Sequence, residues 1–274
     1  MSQIPETPGE FFSTFIPQRF AALPASVHSA LAGKSSPGAL VCRVEGNCGG
    51  VWSLRLEGGK VAVSREVPED TLLQITISTE DFVPILIEGA RAYEAANPDL
   101  SKQTLERQLI AFKALAIDAE RAKLIRAIPG SMVFAIKDGE TVRRLALTPG
   151  GKPPRLEKPE CRVDCMIGDF RDMQAGKVQP MQLFMQQKMK MIGNAQIPMA
   201  LSTVFVLRGY HPRPLLAPNP RGPPHPAAHA ALGAPCPVSD LRAPLACRHC
   251  DLLTSCIVFL HRCSSSSRES RVGA

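Results

Sequence analysis

Seven short stretches of this 274-residue chain alternate apolar and polar side chains with a period of two, and they fall into two sets. The first set holds Leu40-Cys42-Val44, Trp52-Leu54-Leu56, Val61-Val63 and Leu73-Ile75-Ile77. The second holds Met132-Phe134-Ile136, Leu145-Leu147 and Cys161-Val163-Cys165. Successive side chains in a strand project to opposite faces, so each stretch reads as a strand with one buried face. Turn residues punctuate both sets: Gly46-Asn47-Cys48-Gly49-Gly50 and Gly58-Gly59 in the first, Asp138-Gly139 and Gly150-Gly151 in the second. These spacings predict hairpins.

Helical periods separate the sets. Phe11, Phe12, Phe15, Phe20, Leu23, Val27 and Leu31 predict an amphipathic helix interrupted near Pro17 and Pro24. Ser78 followed by Asp81 predicts a capped helix start. Leu105, Leu109, Phe112, Ala116 and Ala119 form the stripe of a long core-facing helix over Gln103–Ala127. The fold class expected is α/β (α+β): a mixed sheet with helices packed on one face. The second set also echoes the first. Gly58-Gly59-Lys60 answers to Gly150-Gly151-Lys152, Asp81-Phe82 to Asp169-Phe170, and Gly89 to Gly176. A degenerate tandem repeat is therefore expected, with an N-terminal helical segment at 1–34, one half at 35–127 and a second domain at 128–206.

Composition sets the last part of the chain apart. From 207 to 274 there are ten Pro, eight Arg, no Lys and three acidic residues, which gives 8 − 3 = +5. Such a segment is expected to be disordered or not native coding sequence, and to contribute nothing to the fold. The whole chain carries +7, so only 7 − 5 = +2 remains for 1–206. That balance requires no basic face, and no nucleic-acid partner is expected. No stretch reaches the ~20 apolar residues of a membrane helix. The opening MSQIPETPGEFF lacks a basic region followed by an apolar run. A cytoplasmic protein is the expectation.

Catalytic constellations are scarce. His28 is the one His before residue 207, so a Ser-His-Asp or Cys-His site would have to use it; a surface or helix-end His explains it with less. Glu80-Asp81 and Asp169 are explained by helix capping. Cys42, Cys48, Cys161 and Cys165 are too scattered for a disulfide framework. In the tail, Cys247, His249, Cys250, Cys256, His261 and Cys263 have the residue types zinc prefers, at a spacing that matches no finger. No enzyme, cofactor or metal is expected.

One segment carries more specific information. From Cys161 a strand leads into Asp169-Phe170 at a helix start, then Gly176-Lys177 and Pro180 in a turn. Phe184 follows four residues later, then Lys188-Met189-Lys190 in alternation and Gly193-Asn194 before a final helix. This ordered set resembles the C-terminal half of the sterol carrier protein type two family. The first half resembles the family's N-terminal part through Gly49-Gly50-x-Trp52 and the step from Thr76 to Asp81-Phe82. It lacks the Lys-x-Lys-x-x-Gly strand and has the 103–127 stripe in its place. The resemblance implies a mixed sheet whose helices enclose an apolar tunnel, with the lipid-binding domain at 128–206. It implies non-catalytic binding and intracellular transfer of lipids (sterols, fatty acyl chains or similar), with a transient membrane surface as partner. Seven of the nine Met lie between 166 and 199, and flexible thioethers suit a cavity that fits ligands of varied shape; the same Met can also simply fill core. The lipid-lining residues expected are Phe170, Met173, Met181, Phe184, Met185, Met189 and Met191. The alternative is an accessory or scaffold domain presenting a lipid-like intermediate to a biosynthetic enzyme. The sequence carries no signal for oligomeric state.

Overall fold

The computed structural model describes residues 4–96, 115 and 117–206, with side chains as far as Leu201. The first part of the 103–127 stripe, the whole 207–274 segment and its Cys/His set lie outside the described residues; in the described part the helix starts only at Ala119, capped by Asp118 and with Ala119 exposed, so the stripe is not one helix over Gln103–Ala127. The chain begins with α1 (Pro8–Glu10), a π-helical turn over Phe11–Phe15, α2 (Ile16–Ala21) and α3 (Ala25–Leu31). Four strands follow: β1 (Ala39–Glu45), β2 (Gly50–Glu57), β3 (Lys60–Ser64) and β4 (Thr71–Ser78). Then come α4 (Thr79–Phe82), a π-helical turn over Val83–Ile87, α5 (Glu88–Ala96) and α6 (Ala119–Ala127). The second half holds β5 (Met132–Asp138), β6 (Thr141–Pro149), β7 (Cys161–Met166), α7 (Ile167–Gln174), α8 (Pro180–Met185), β8 (Met189–Gly193) and α9 (Gln196–Val206).

All eight strands form one mixed sheet in the order β3-β2-β1-β4-β6-β5-β7-β8. Each half uses the same local plan. A first strand pairs antiparallel with its hairpin partner (β1 with β2, β5 with β6) and parallel with a later strand (β1 with β4, β5 with β7). That later strand leads straight into a helix. Asp81-Phe82 and Asp169-Phe170 occupy the same place, three and four residues beyond the last strand residue, and both Phe rings are fully buried. The halves join where β6 pairs antiparallel with β4. There β6 takes the position beside β4 that β8 takes beside β7.

Several sequence expectations need correction in detail. Gly58-Gly59 and Gly150-Gly151 each follow the second strand of their half, all four at positive φ. Only the first pair closes a hairpin, because β3 follows it; after Gly150-Gly151 the described chain runs to β7 without a strand. Gly89 and Gly176 are not counterparts: Gly89 is buried within α5, and Gly176 lies past the end of α7 at φ 73°. The N-terminal helix is not broken at Pro17. A proline leaves the carbonyl one turn back without its donor, and the π-helical turn of Phe11–Phe15 precedes Pro17, after which α2 continues to Ala21. The break comes at Pro24. Ser78 caps α4 by accepting from the Asp81 N–H at 3.1 Å. The Asp81 carboxylate does not cap: it accepts from the Arg144 N–H at 3.0 Å and pairs with Arg143 at 3.3 Å.

The core lies between the sheet and the helices. Trp52 stacks on Phe12 with centroids 4.9 Å apart, and Phe11 meets Phe82 edge-on at 5.7 Å. Phe134 of β5 meets Phe170 of α7 at 5.7 Å. Each such ring contributes ~1.5–3 kcal/mol by leaving water, before packing terms. Leu40, Cys42 and Val44 on β1, Leu73, Ile75 and Ile77 on β4, and Cys161, Val163 and Cys165 on β7 all join this one cluster. Their period-two spacing is what places them on the same face.

Candidate functional site

The residues singled out from the sequence occupy the last third of the described fold, on β7, α7, α8 and β8. β7 and β8 are held by the pairs Cys161 with Gly193, Val163 with Met191 and Cys165 with Met189. The inward residues of this strand pair are therefore Cys161, Val163, Cys165, Met189 and Met191. Phe170 and Met173 project from α7 into the same cluster, 0% and 1% exposed. Met189 is 3% exposed, and Phe184 and Met191 are partly buried against the cluster.

α8 is short, with Pro180 at its first turn, where a missing N–H costs nothing. The Gln182 side chain accepts from the Gln179 N–H at 3.0 Å and closes the start. Of its six residues only Pro180 and Leu183 are buried. Met181 is 38% exposed and Met185 80% exposed, so these two thioethers face water and not the cluster. The seven residues thus divide: Phe170, Met173, Met189, Phe184 and Met191 come together, and Met181 and Met185 do not join them. Sequence reasoning missed Leu183, Ile197 and Leu201, which are buried in the same cluster from α8 and α9. Leu183 had a signal, three residues beyond the first-turn Pro180, that the Met-rich neighbourhood masked. It also missed Gln174, 1% exposed, whose Nε2 donates from α7 to the Ile85 carbonyl at 3.0 Å, in the π-helical turn that precedes α5.

Burial dominates the electrostatics of the interior. It pushes the Cys165 thiol up to about 12, with the charges of Asp169 and Asp164 adding to the effect, and it raises Cys161 as well. Both remain protonated near neutrality, and a protonated thiol is neither a strong nucleophile nor a metal ligand. Asp169 pairs with Lys188 at 3.0 Å and Asp172 with Lys177 at 3.4 Å. Asp169 does not cap α7, whose N-cap is Met166 without a side-chain bond. His28 lies in the last turn of α3, edge-on to Phe20 at 5.4 Å. Among the described residues no group of three or more His, Cys, Asp or Glu is placed to hold a metal ion. Among them, too, no helix is long and apolar enough to cross a membrane.

One comparison with known proteins takes in this same region. Residues 109–206 match the model of the SCP-2 sterol transfer family. Two curated relatives are each named sterol carrier protein 2. The one from Bos taurus is 28% identical over 176 residues, covering 58% of this chain and 32% of that one. The one from Homo sapiens is 26% identical over 178 residues with the same coverage. The chain spans about a third of the length of these relatives. Among solved structures, sterol carrier protein domain 2 of Helicoverpa armigera is 20% identical, with a TM-score of 0.26 over 44% of this chain and 85% of that one. Sterol carrier protein 2 from Yarrowia lipolytica is 18% identical, with a TM-score of 0.25 over 42% and 90%. Over residues 109–206, then, the chain is similar to the SCP-2 sterol transfer family.

Proposed function

We propose that this chain binds a lipid in its second half and moves it between membranes without carrying out a reaction on it. The observation that carries this reading is the coincidence of two things in one segment. The family match covers the residues that bring Phe170, Met173, Phe184, Met189 and Met191 into one apolar cluster. Thioethers adapt to irregular partners, and a chain of ~12–16 methylenes offers roughly 10 kcal/mol of burial before binding costs. An apolar lining therefore suffices without a dense polar code. In this reading Met181 and Met185 stand at the water-facing margin and meet the lipid as it enters. A non-catalytic role is supported by the protonated thiols of Cys161 and Cys165 and by the packing of His28 on Phe20. The shared strand plan of the two halves supports a degenerate duplication, with lipid binding assigned to 128–206.

Native mass spectrometry of the purified chain is expected to find co-purified lipid, and fluorescent fatty acid or sterol is expected to bind with micromolar affinity, about −8 kcal/mol. Replacing the partly buried Phe184 by Asp places a carboxylate against the hydrocarbon at a cost of several kcal/mol. Binding should fall at least tenfold while circular dichroism stays unchanged. Failure of the wild type to bind any lipid class refutes the proposal.

A further inference from the structure

The outer face of the sheet, away from the helices, changes character along its length. Toward β2 and β1 it is closed: the Ser53 hydroxyl donates to the Glu66 carbonyl, and Val41 and Ser53 are 0% and 2% exposed. At the β6-β5-β7-β8 end it opens. Register fixes which residues stand together there. Lys137 lies between Val142 of β6 and Met166 of β7. One row on, Ala135 lies between Arg144 and Asp164, with Lys190 of β8 beside Asp164. In the next row Val133 and Ala146 are buried, while Arg162 and Ile192 on the β7 and β8 side are exposed. All alternate with the buried Phe134, Ile136, Val163 and Cys165, so they point away from the core.

Two properties of this face do not suit water alone. Val142, Met166 and Ile192 are 46%, 49% and 48% exposed, three of the large apolar side chains most open to solvent among the described residues. They sit among four cations, Lys137, Arg144, Arg162 and Lys190, against the single carboxylate of Asp164, giving 4 − 1 = +3. That carboxylate is already held by Arg162 at 2.8 Å, so the excess charge rests on Lys137, Arg144 and Lys190, all three exposed.

We propose that this face docks on a bilayer surface carrying anionic headgroups. Aliphatic side chains spaced between cations match such a surface: the cations reach phosphates and carboxylates while Val142, Met166 and Ile192 enter the headgroup layer. A second copy of the chain fits poorly, because two faces of +3 repel each other. The open area, four strands at ~4.8 Å by up to three rows of side chains, is on the order of 400 Å². That is about half of what each partner of a stable protein complex buries, ~800 Å², and enough for reversible attachment. The inference rests on the transfer reading and adds where the chain meets its membrane.

The test is partition of the full chain onto vesicles of phosphatidylcholine alone and of phosphatidylcholine with phosphatidylserine. The wild type should bind only the mixed vesicles and be released by 1 M salt, where the Debye length shrinks to ~3 Å. The triple substitution Lys137→Glu, Arg144→Glu, Lys190→Glu should lower the partition coefficient at least tenfold, and Met166→Ser with Ile192→Ser severalfold. Lys60→Glu on β3, at the other edge of the sheet, should stay within twofold. An Ile192→Trp variant should shift its emission to the blue on mixed vesicles against the constant background of the buried Trp52. Binding of the triple variant within twofold of the wild type, or unshifted emission from bound Ile192→Trp protein, overturns the proposal. Solution binding of fluorescent fatty acid is measured in parallel. A wild type that binds lipid but ignores anionic vesicles sinks the docking face alone; one that docks by charge but holds no lipid sinks the transfer reading alone.

Discussion

Gly89→Ala tests the packing of α5 on α7 most sharply, because two opposing effects of known size meet there. A methyl group on a glycine within a helix normally stabilises by ~1 kcal/mol. Here the added Cβ would stand 2.4 Å from Gln174 Oε1 and 2.6 Å from Cδ and Nε2. Ordinary contact needs about 1 Å more. The Gln174 amide is flexible, yet it is 1% exposed and its Nε2 is bound to the Ile85 carbonyl at 3.0 Å. Moving it strains a packed region, ~1–3 kcal/mol, and leaves a buried carbonyl short of its donor, ~1–3 kcal/mol. The substitution should therefore destabilise by a net ~1–5 kcal/mol in urea unfolding at unchanged m-value. In a Gln174→Ala background the same methyl has room and should be neutral or stabilising by up to ~1 kcal/mol. A coupling of ~1 kcal/mol or more across the double-mutant cycle is the expected signature. If Gly89→Ala has the same effect in both backgrounds, α5 and α7 do not meet through this glycine and the reasoning fails.

Other substitutions and conditions read different parts of the structure. Phe170→Ala removes a fully buried ring and should cost ~3–5 kcal/mol, whereas Met185→Ala at 80% exposure should stay within ~0.5 kcal/mol; equal effects in chemical denaturation would mean α8 is turned the other way. Among the described cysteines only Cys48 is exposed, so peptide mapping after iodoacetamide at pH 8 should find it alkylated long before Cys42, Cys161 and Cys165. Glu160 accepts from the Ser131 N–H at 2.8 Å, and this bond, with help from the Ser131 hydroxyl and Arg155, holds its carboxyl below the usual value of 4.5. Its contribution is complete above about pH 4.5 and is lost as pH falls through the lower folded value. Glu160→Gln should flatten that part of the stability-against-pH curve, and an unchanged acid slope would rule Glu160 out as its source.

The strands were legible because burial on one face of a sheet enforces a period of two, and Leu40-Cys42-Val44 or Cys161-Val163-Cys165 admit few other readings. What joins them was not. Nothing in Leu145 or Leu147 states that β6 pairs with β4, since a central strand is apolar whichever neighbour it has. The π-helical turns at Phe11–Phe15 and Val83–Ile87 were equally silent: a one-residue widening of a helical turn leaves the apolar stripe almost unchanged. In the candidate site, residue type misled where orientation mattered. Met185 and Leu183 lie two positions apart on a six-residue helix, and only Leu183 turns inward. Methionine suits either environment, so its density marks the region without sorting its members. The ordered motif from Asp169 to Asn194 located the family match where composition alone would have left a generic mixed sheet.

The shared position of β6 has a consequence for how the chain is made. β4 is buried along seven of its eight residues, and its second neighbour is not its own half but a strand that ends at Pro149, about 70 residues after Ser78. At ~5–20 residues per second, synthesis leaves that edge without a partner for roughly 4–14 s. An unpaired run of Leu72, Leu73, Ile75 and Ile77 is what another nascent chain would pair with. Slow translation between residues 79 and 149 should therefore lower the yield of soluble protein. A chain stopped near residue 127 should aggregate, because the half left behind lacks one side of its central strand.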